Sequence, residues 1–183
     1  ASEAARLSPD DPEVYSARAT SLMARKEQAL AVEDLRRAIT LRPRDYKLWR
    51  ELGTVLARMG CTETALAAMA EARALAPFYA GPHWDTAVLL QKLGRQDEAF
   101  TEFRAATATK PDLLTNVIEM AWDVHAGDCE AVERAVDPRT AQEQLAVAHF
   151  FIGKGKAIEA LGLVRSANDL PYSERRQFVI EFL

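Results

Sequence analysis

Apolar residues recur along the chain at spacings of three and four, as in Tyr15, Ala19 and Leu22, then Leu52 and Leu56, then Ala65, Met69 and Ala72, then Ala99, Phe103 and Ala106. That spacing places one apolar stripe on one face of each helix. The stripes stop at Gly60, Gly94 and Gly127, where glycine tolerates the left-handed conformation at a helix end. They stop again at Leu41-Arg42-Pro43 and Leu75-Ala76-Pro77, because proline cannot continue a helix. Glycines number only eight and β-branched runs are few, so no strand is predicted. With 33 alanines in 183 residues, the pattern predicts an all-α chain of paired helices.

The pairs repeat. Pro9, Pro43, Pro77 and Pro111 lie 34 residues apart; so do Ala4, Ala38, Ala72 and Ala106, and so do Ala31, Ala65 and Ala99. Leu7, Leu41 and Leu75 keep the same period. The second unit reads Trp49, Leu52, Gly53 and Leu56, followed by Ala65, Met69, Ala72 and Pro77. This resembles the tetratricopeptide repeat (TPR) family, whose helix–turn–helix unit carries W-x2-L-G-x2-Y, then A-x3-F and P. The third unit keeps Ala87, Leu90, Gly94, Ala99, Phe103, Ala106 and Pro111, and the first keeps Tyr15, Ala19, Leu22, Ala31, Leu35, Ala38 and Pro43. The resemblance implies antiparallel helix pairs stacked in a right-handed superhelix, with Gly53, Ala19, Ala87 and Ala65 where paired helices approach.

Beyond Pro111 the period slips. Gly94 and Gly155 are 61 residues apart where two repeats would take 68, so seven residues, about two helical turns, are missing. Cys129 to Val136 is therefore expected as a short second helix, with Asp137-Pro138 a break before a helix from Thr140 to Ile152. The expected organisation is one solenoid over 1–183. It comprises the end of a preceding repeat (1–9), repeats at 12–45, 46–79 and 80–113, a shortened repeat (114–138), a divergent repeat (139–171), and a cap or further repeat (172–183). The mid-helix start and the apolar Phe178, Val179, Ile180, Phe182 and Leu183 suggest a fragment of a longer protein. Its ends, Ala5 and Leu7 on one side and Phe178 and Phe182 on the other, would then be open to end-to-end self-association.

Composition narrows the function. A net charge of −4 and a pI near 5.5 argue against nucleic-acid binding. No apolar run is long enough to insert in a membrane, and the chain is expected in a soluble compartment, cytoplasmic or periplasmic. Cys61 and Cys129 make neither a disulfide framework nor a zinc motif, and His125 and Cys129 are separated by Gly127. His149, amid Leu145, Val147, Phe150 and Phe151, reads as a half-buried structural histidine. Gly153-Lys154-Gly155-Lys156 lacks phosphate-loop spacing and reads as an inter-helix turn. Glu51, Glu63 and Glu71 fall where solvated charge is the default. No catalytic constellation and no cofactor motif appears, so no enzyme activity is expected.

The resemblance implies that first helices line the concave side and that ligands lie there. Reading those columns gives Lys47, Arg50, Thr54 and Arg58 from the second unit and Trp84, Val88, Gln91 and Lys92 from the third. The fourth supplies Ile118, Trp122 and His125. Stacking would set Arg50 near Trp84, Arg58 near Lys92 and Val88 near Trp122, a basic patch grading into an aromatic one. Such a surface suits an acidic, partly apolar protein segment. The lysine and asparagine pairs of the chaperone-binding subset are not matched, since Ser16, Thr20, Arg50 and Thr54 stand there. The expected function is a non-catalytic protein-interaction scaffold. The alternative is a regulatory or anchoring region of a larger enzyme or of a bacterial envelope or polysaccharide-export assembly.

Overall fold

The computed structural model describes Ser8 and residues 10–167. Every regular element among them is helical: α1 (Pro12–Ala24), α2 (Gln28–Leu41), α3 (Tyr46–Arg58), α4 (Thr62–Leu75), α5 (Ala80–Lys92), α6 (Gln96–Thr109), α7 (Leu114–Val124), α8 (Cys129–Val136), α9 (Ala141–Gly153) and α10 (Ala157–Ser166), with one 3-10 turn at Pro111–Leu113. They fall into two compact units divided between Glu102 and Phe103, within α6. Ala4, Ala5, Leu7 and Pro9 at one end, and Pro171, Phe178, Val179, Ile180, Phe182 and Leu183 at the other, lie outside the described residues.

Capping explains the helix pairs. Asp11 and Asp45 accept the backbone N–H two residues on, opening α1 and α3. The first helix of each pair closes in the same way: Cys61 N–H bonds to Leu56 O and Gly60 N–H to Ala57 O, with Gly60 at φ 78°. These two bonds satisfy carbonyls that the helix end leaves orphaned. One repeat earlier the left-handed position is Lys26, φ 62°, and Glu27 N–H repeats the longer bond to Leu22 O. So short a turn forces α1/α2 and α3/α4 to run antiparallel. Proline stops the second helices, Pro43 after α2 and Pro77 after α4.

In the first unit the apolar stripes meet inside the pairs, where Ala31 and Ala65 are wholly buried in one cluster with Leu35, Leu52, Leu56 and Met69, and Ala99 is wholly buried on α6. The α3–α4 approach is so close that a Cβ on Gly53 would stand 2.8 Å from Met69 Cγ and 3.2 Å from the Ala65 carbonyl oxygen. Trp49 Nε1–H donates to Pro43 O at 2.9 Å, and one period later His83 Nε2 lies 3.3 Å from Pro77 O. The column thus ties α3 and α5 to the prolines that precede them.

The second unit packs Phe103, Val117, Ile118, Val132, Val147 and Phe151, all with 1% exposure or less. Its first turn departs from the others: Ala126 takes the left-handed position, Gly127 follows at φ 79°, and only then does Asp128 cap α8 by accepting from Ala131 N–H. The helix closed at Gly127 by the sequence pattern therefore ends one residue earlier. α8 has eight residues and stops at Asp137, φ 51°, before Pro138. Arg104 Nη1–H donates to Ala135 O at 2.7 Å, satisfying a carbonyl at that abrupt end. Thr140 and Glu143 then form a reciprocal capping box that opens α9. His149, expected half-buried, is exposed, because Val147, Ala148 and Phe151 occupy the inward face of α9.

Candidate functional site

The first helices of the first unit are linked to each other by polar bonds with a common offset. Ser16 Oγ–H donates to Glu51 Oε2 at 3.0 Å between α1 and α3, and Arg50 Nε–H donates to Asp85 Oδ2 at 2.5 Å between α3 and α5. Each bond spans 35 residues, one repeat plus one. Arg50, expected in the groove, is paired with Asp85 inside the protein, and that hydrogen bond holds its guanidinium above its ordinary pKa. Glu51 is also not a solvated charge. Burial pushes its carboxyl above the ordinary value, against the Ser16 hydroxyl, which lowers it. The signal for both bonds was present in the sequence, since Glu51 and Asp85 share one column beside that of Ser16 and Arg50.

Over these links lie two adjoining hollows. One, of about 400 Å³, runs the length of α3 from Tyr46 and Lys47 to Arg58, with Ala19, Met23 and Val55 among its apolar lining and Thr54 at its side. The other, of about 340 Å³, shares Thr54 and Arg58 and adds Trp84, Asp85, Val88 and Lys92 from α5. Thus Lys47, Arg50, Thr54, Arg58, Trp84, Val88 and Lys92 are brought together, and Gln91 is half-buried on α5 without lining either hollow. Lys47, Arg58 and Lys92 are exposed and have no ion pair among the described residues, whereas Arg18 is paired with Asp34, Arg42 with Glu13 and Asp45, and Arg73 with Glu102. Uncompensated cations beside apolar hollows attract carboxylates.

Three candidates belong to the second unit and behave differently. Ile118 is 1% exposed, so the proposed groove residue is a core residue: its stripe with Val117 and Ala121 faces inward. The Trp122 ring packs edge-on to Phe150, centroids 5.6 Å apart, and 6.3 Å from Phe151, with the Lys154 ammonium 5.7 Å from its centre. That indole serves the unit's own packing. His125 is half-buried at the end of α7.

On another side of the first unit, Glu102 accepts from Arg73 and its Oε2 lies 2.7 Å from His83 Nδ1. Burial lowers the His83 pKa; its contact with the Pro77 carbonyl opposes this, and the neighbouring Arg73 charge adds to it. Sequence reasoning missed this cluster because its members come from three helices.

The same arrangement of helix pairs occurs in solved structures. MamA matches with a TM-score of 0.58 at 15% identity, over 99% of this chain and 87% of that one. The chain has the tetratricopeptide-repeat fold. YrrB, described as a TPR protein with an unusual peptide-binding site, matches with a TM-score of 0.58 at 16% identity over 98% and 97%. The TPR domain of Arabidopsis OM64 gives 0.52 at 19% over 55% and 84%. No family model and no curated protein matches the chain. Within this TPR fold, no helix among the described residues is long and apolar enough to cross a membrane.

Proposed function

We propose that this TPR-fold chain is a non-catalytic scaffold that recognises an acidic, partly apolar segment of a partner protein along the first-helix face of its first unit. The observation that carries the reading is the hollow along α3, apolar at its base, with Lys47 and Arg58 at its ends and no ion pair to either among the described residues. Stacked helix pairs present such an extended surface without enclosing a catalytic pocket. The peptide site in the description of YrrB supports the same use of the fold. Trp84 and Val88, in the adjoining hollow, supply apolar area of the kind that anchors interfaces.

Peptides selected on the immobilised chain test the proposal. Their affinity for the Arg58→Glu/Lys92→Glu variant should fall by about tenfold or more, and the loss should shrink at high salt. Unchanged affinity with unchanged salt dependence would move the site off this face.

A further inference from the structure

The α1–α3 hollow has a charge pattern along its length. Lys47 stands at one end and Arg58 at the other, both without an ion pair among the described residues. Between them, Arg50 is neutralised by Asp85, and Glu51 carries an opposing carboxylate. The groove is therefore positive at its ends and compensated in the middle, over an apolar base of Met23 and Val55.

Among the described residues, an exposed ring continues the surface only from the Lys47 end; beyond Arg58 the aromatic residue of the adjoining hollow, Trp84, is half-buried. The Tyr46 ring, which lines the hollow, lies 5.2 Å from the Tyr79 ring, and Tyr79 is 58% exposed. An apolar side chain leaving the groove there would find a ring to cover.

Resting on the peptide-site reading above, we propose that the ligand is an extended segment with two carboxylates at a fixed separation, uncharged between them, and an apolar residue next to the carboxylate that meets Lys47. Lys47 and Arg58 are 11 residues apart on α3. That is about 16 Å of helix, which an extended strand covers in about five residues. The apolar residue sits on Tyr79, so the groove reads order as well as charge.

A displayed library of random peptides, selected on the whole chain, tests this. The selected peptides should carry an acidic pair at about that spacing with an apolar neighbour at one end. Selection on Lys47→Glu should replace the acid beside the apolar residue with lysine or arginine; selection on Arg58→Glu should replace the other acid. Tyr79→Ser should abolish the apolar preference, weaken the parent's peptides by about tenfold, and leave both acids selected. Peptides whose charges ignore both reversals, yet which lose binding to Thr54→Trp, would overturn the register while leaving the groove as the site. Peptides that bind Thr54→Trp as tightly as the parent would overturn the groove reading itself, as would a selection that yields no binders.

Discussion

Arg50 and Ile118 occupy the same repeat column, as do Thr54 and Trp122, yet the two units use these columns in opposite ways. On α3 they are polar, the face is tied to its neighbours by Ser16–Glu51 and Arg50–Asp85, and hollows remain between the helices. On α7 they are apolar and bulky, Ile118 is buried, and Trp122 fills the space towards Phe150 and Phe151 of α9. The repeat dictates where a helix lies. The volume and polarity at a few columns decide whether its face stays open to a partner.

The sharpest way to break this comparison is to truncate both members of a column. Trp122→Ala should cost about 3 kcal/mol, the range for removing a large packed aromatic, whereas Thr54→Ala should stay within about 0.5 kcal/mol. Denaturant titration measures both. Equal costs would mean that the indole does not support the second unit. Between these extremes lies Ala65→Leu: Ala65 is wholly buried beside Gly53, and the added carbons should cost about 1–3 kcal/mol by overpacking. A neutral melting result would place that column on the surface.

Two glycines sharpen the comparison further because their backbones match. Gly60 has φ 78° and nothing within 4 Å of an added Cβ; Gly127 has φ 79° and the Trp122 ring 2.9 Å away. Alanine at either position meets the left-handed penalty of about 1–2 kcal/mol. Gly127→Ala should lose more than Gly60→Ala, and the difference should vanish in the Trp122→Ala background. A difference that survives there would have another cause than the ring.

How far the molecule was legible follows from what each feature depends on. The helix pairs show in the sequence because their determinants are local and periodic: proline after α2 and α4, small residues at 19, 53, 65 and 87, and glycine at φ 78° after α3. The eight-residue α8 was readable from the seven-residue deficit, since missing turns leave an arithmetic trace. The surface was harder. Column position alone does not tell whether a residue faces solvent or a neighbour, so Ile118 was assigned to the groove although its own stripe turns it inward. His149 shows the opposite case: its sequence neighbours are apolar, yet its place around α9 leaves it exposed. Arg50 lines the hollow as its column implies, but its pairing does not show in that column, because Asp85 lies one repeat away.

The smallest expected effect concerns Glu51, where the open face of the first unit touches its interior. Burial raises its carboxyl pKa above the ordinary 4.5, so over a window starting near that value the folded chain binds more protons at this site than the unfolded chain. Stability then falls as pH rises through the window, up to the folded pKa, and stays lower above it. Glu51→Gln removes the ionisation and keeps an oxygen that can accept from Ser16 Oγ–H. The difference in Tm between variant and parent should therefore favour the variant at neutral pH and diminish as pH falls towards 4.5, where the parent's carboxyl is also protonated. A difference independent of pH across that range would show that the Ser16 bond or the shape of the side chain, and not the buried charge, sets the contribution of this position. The half-exposed setting limits the size of the effect, since solvent screens part of the penalty.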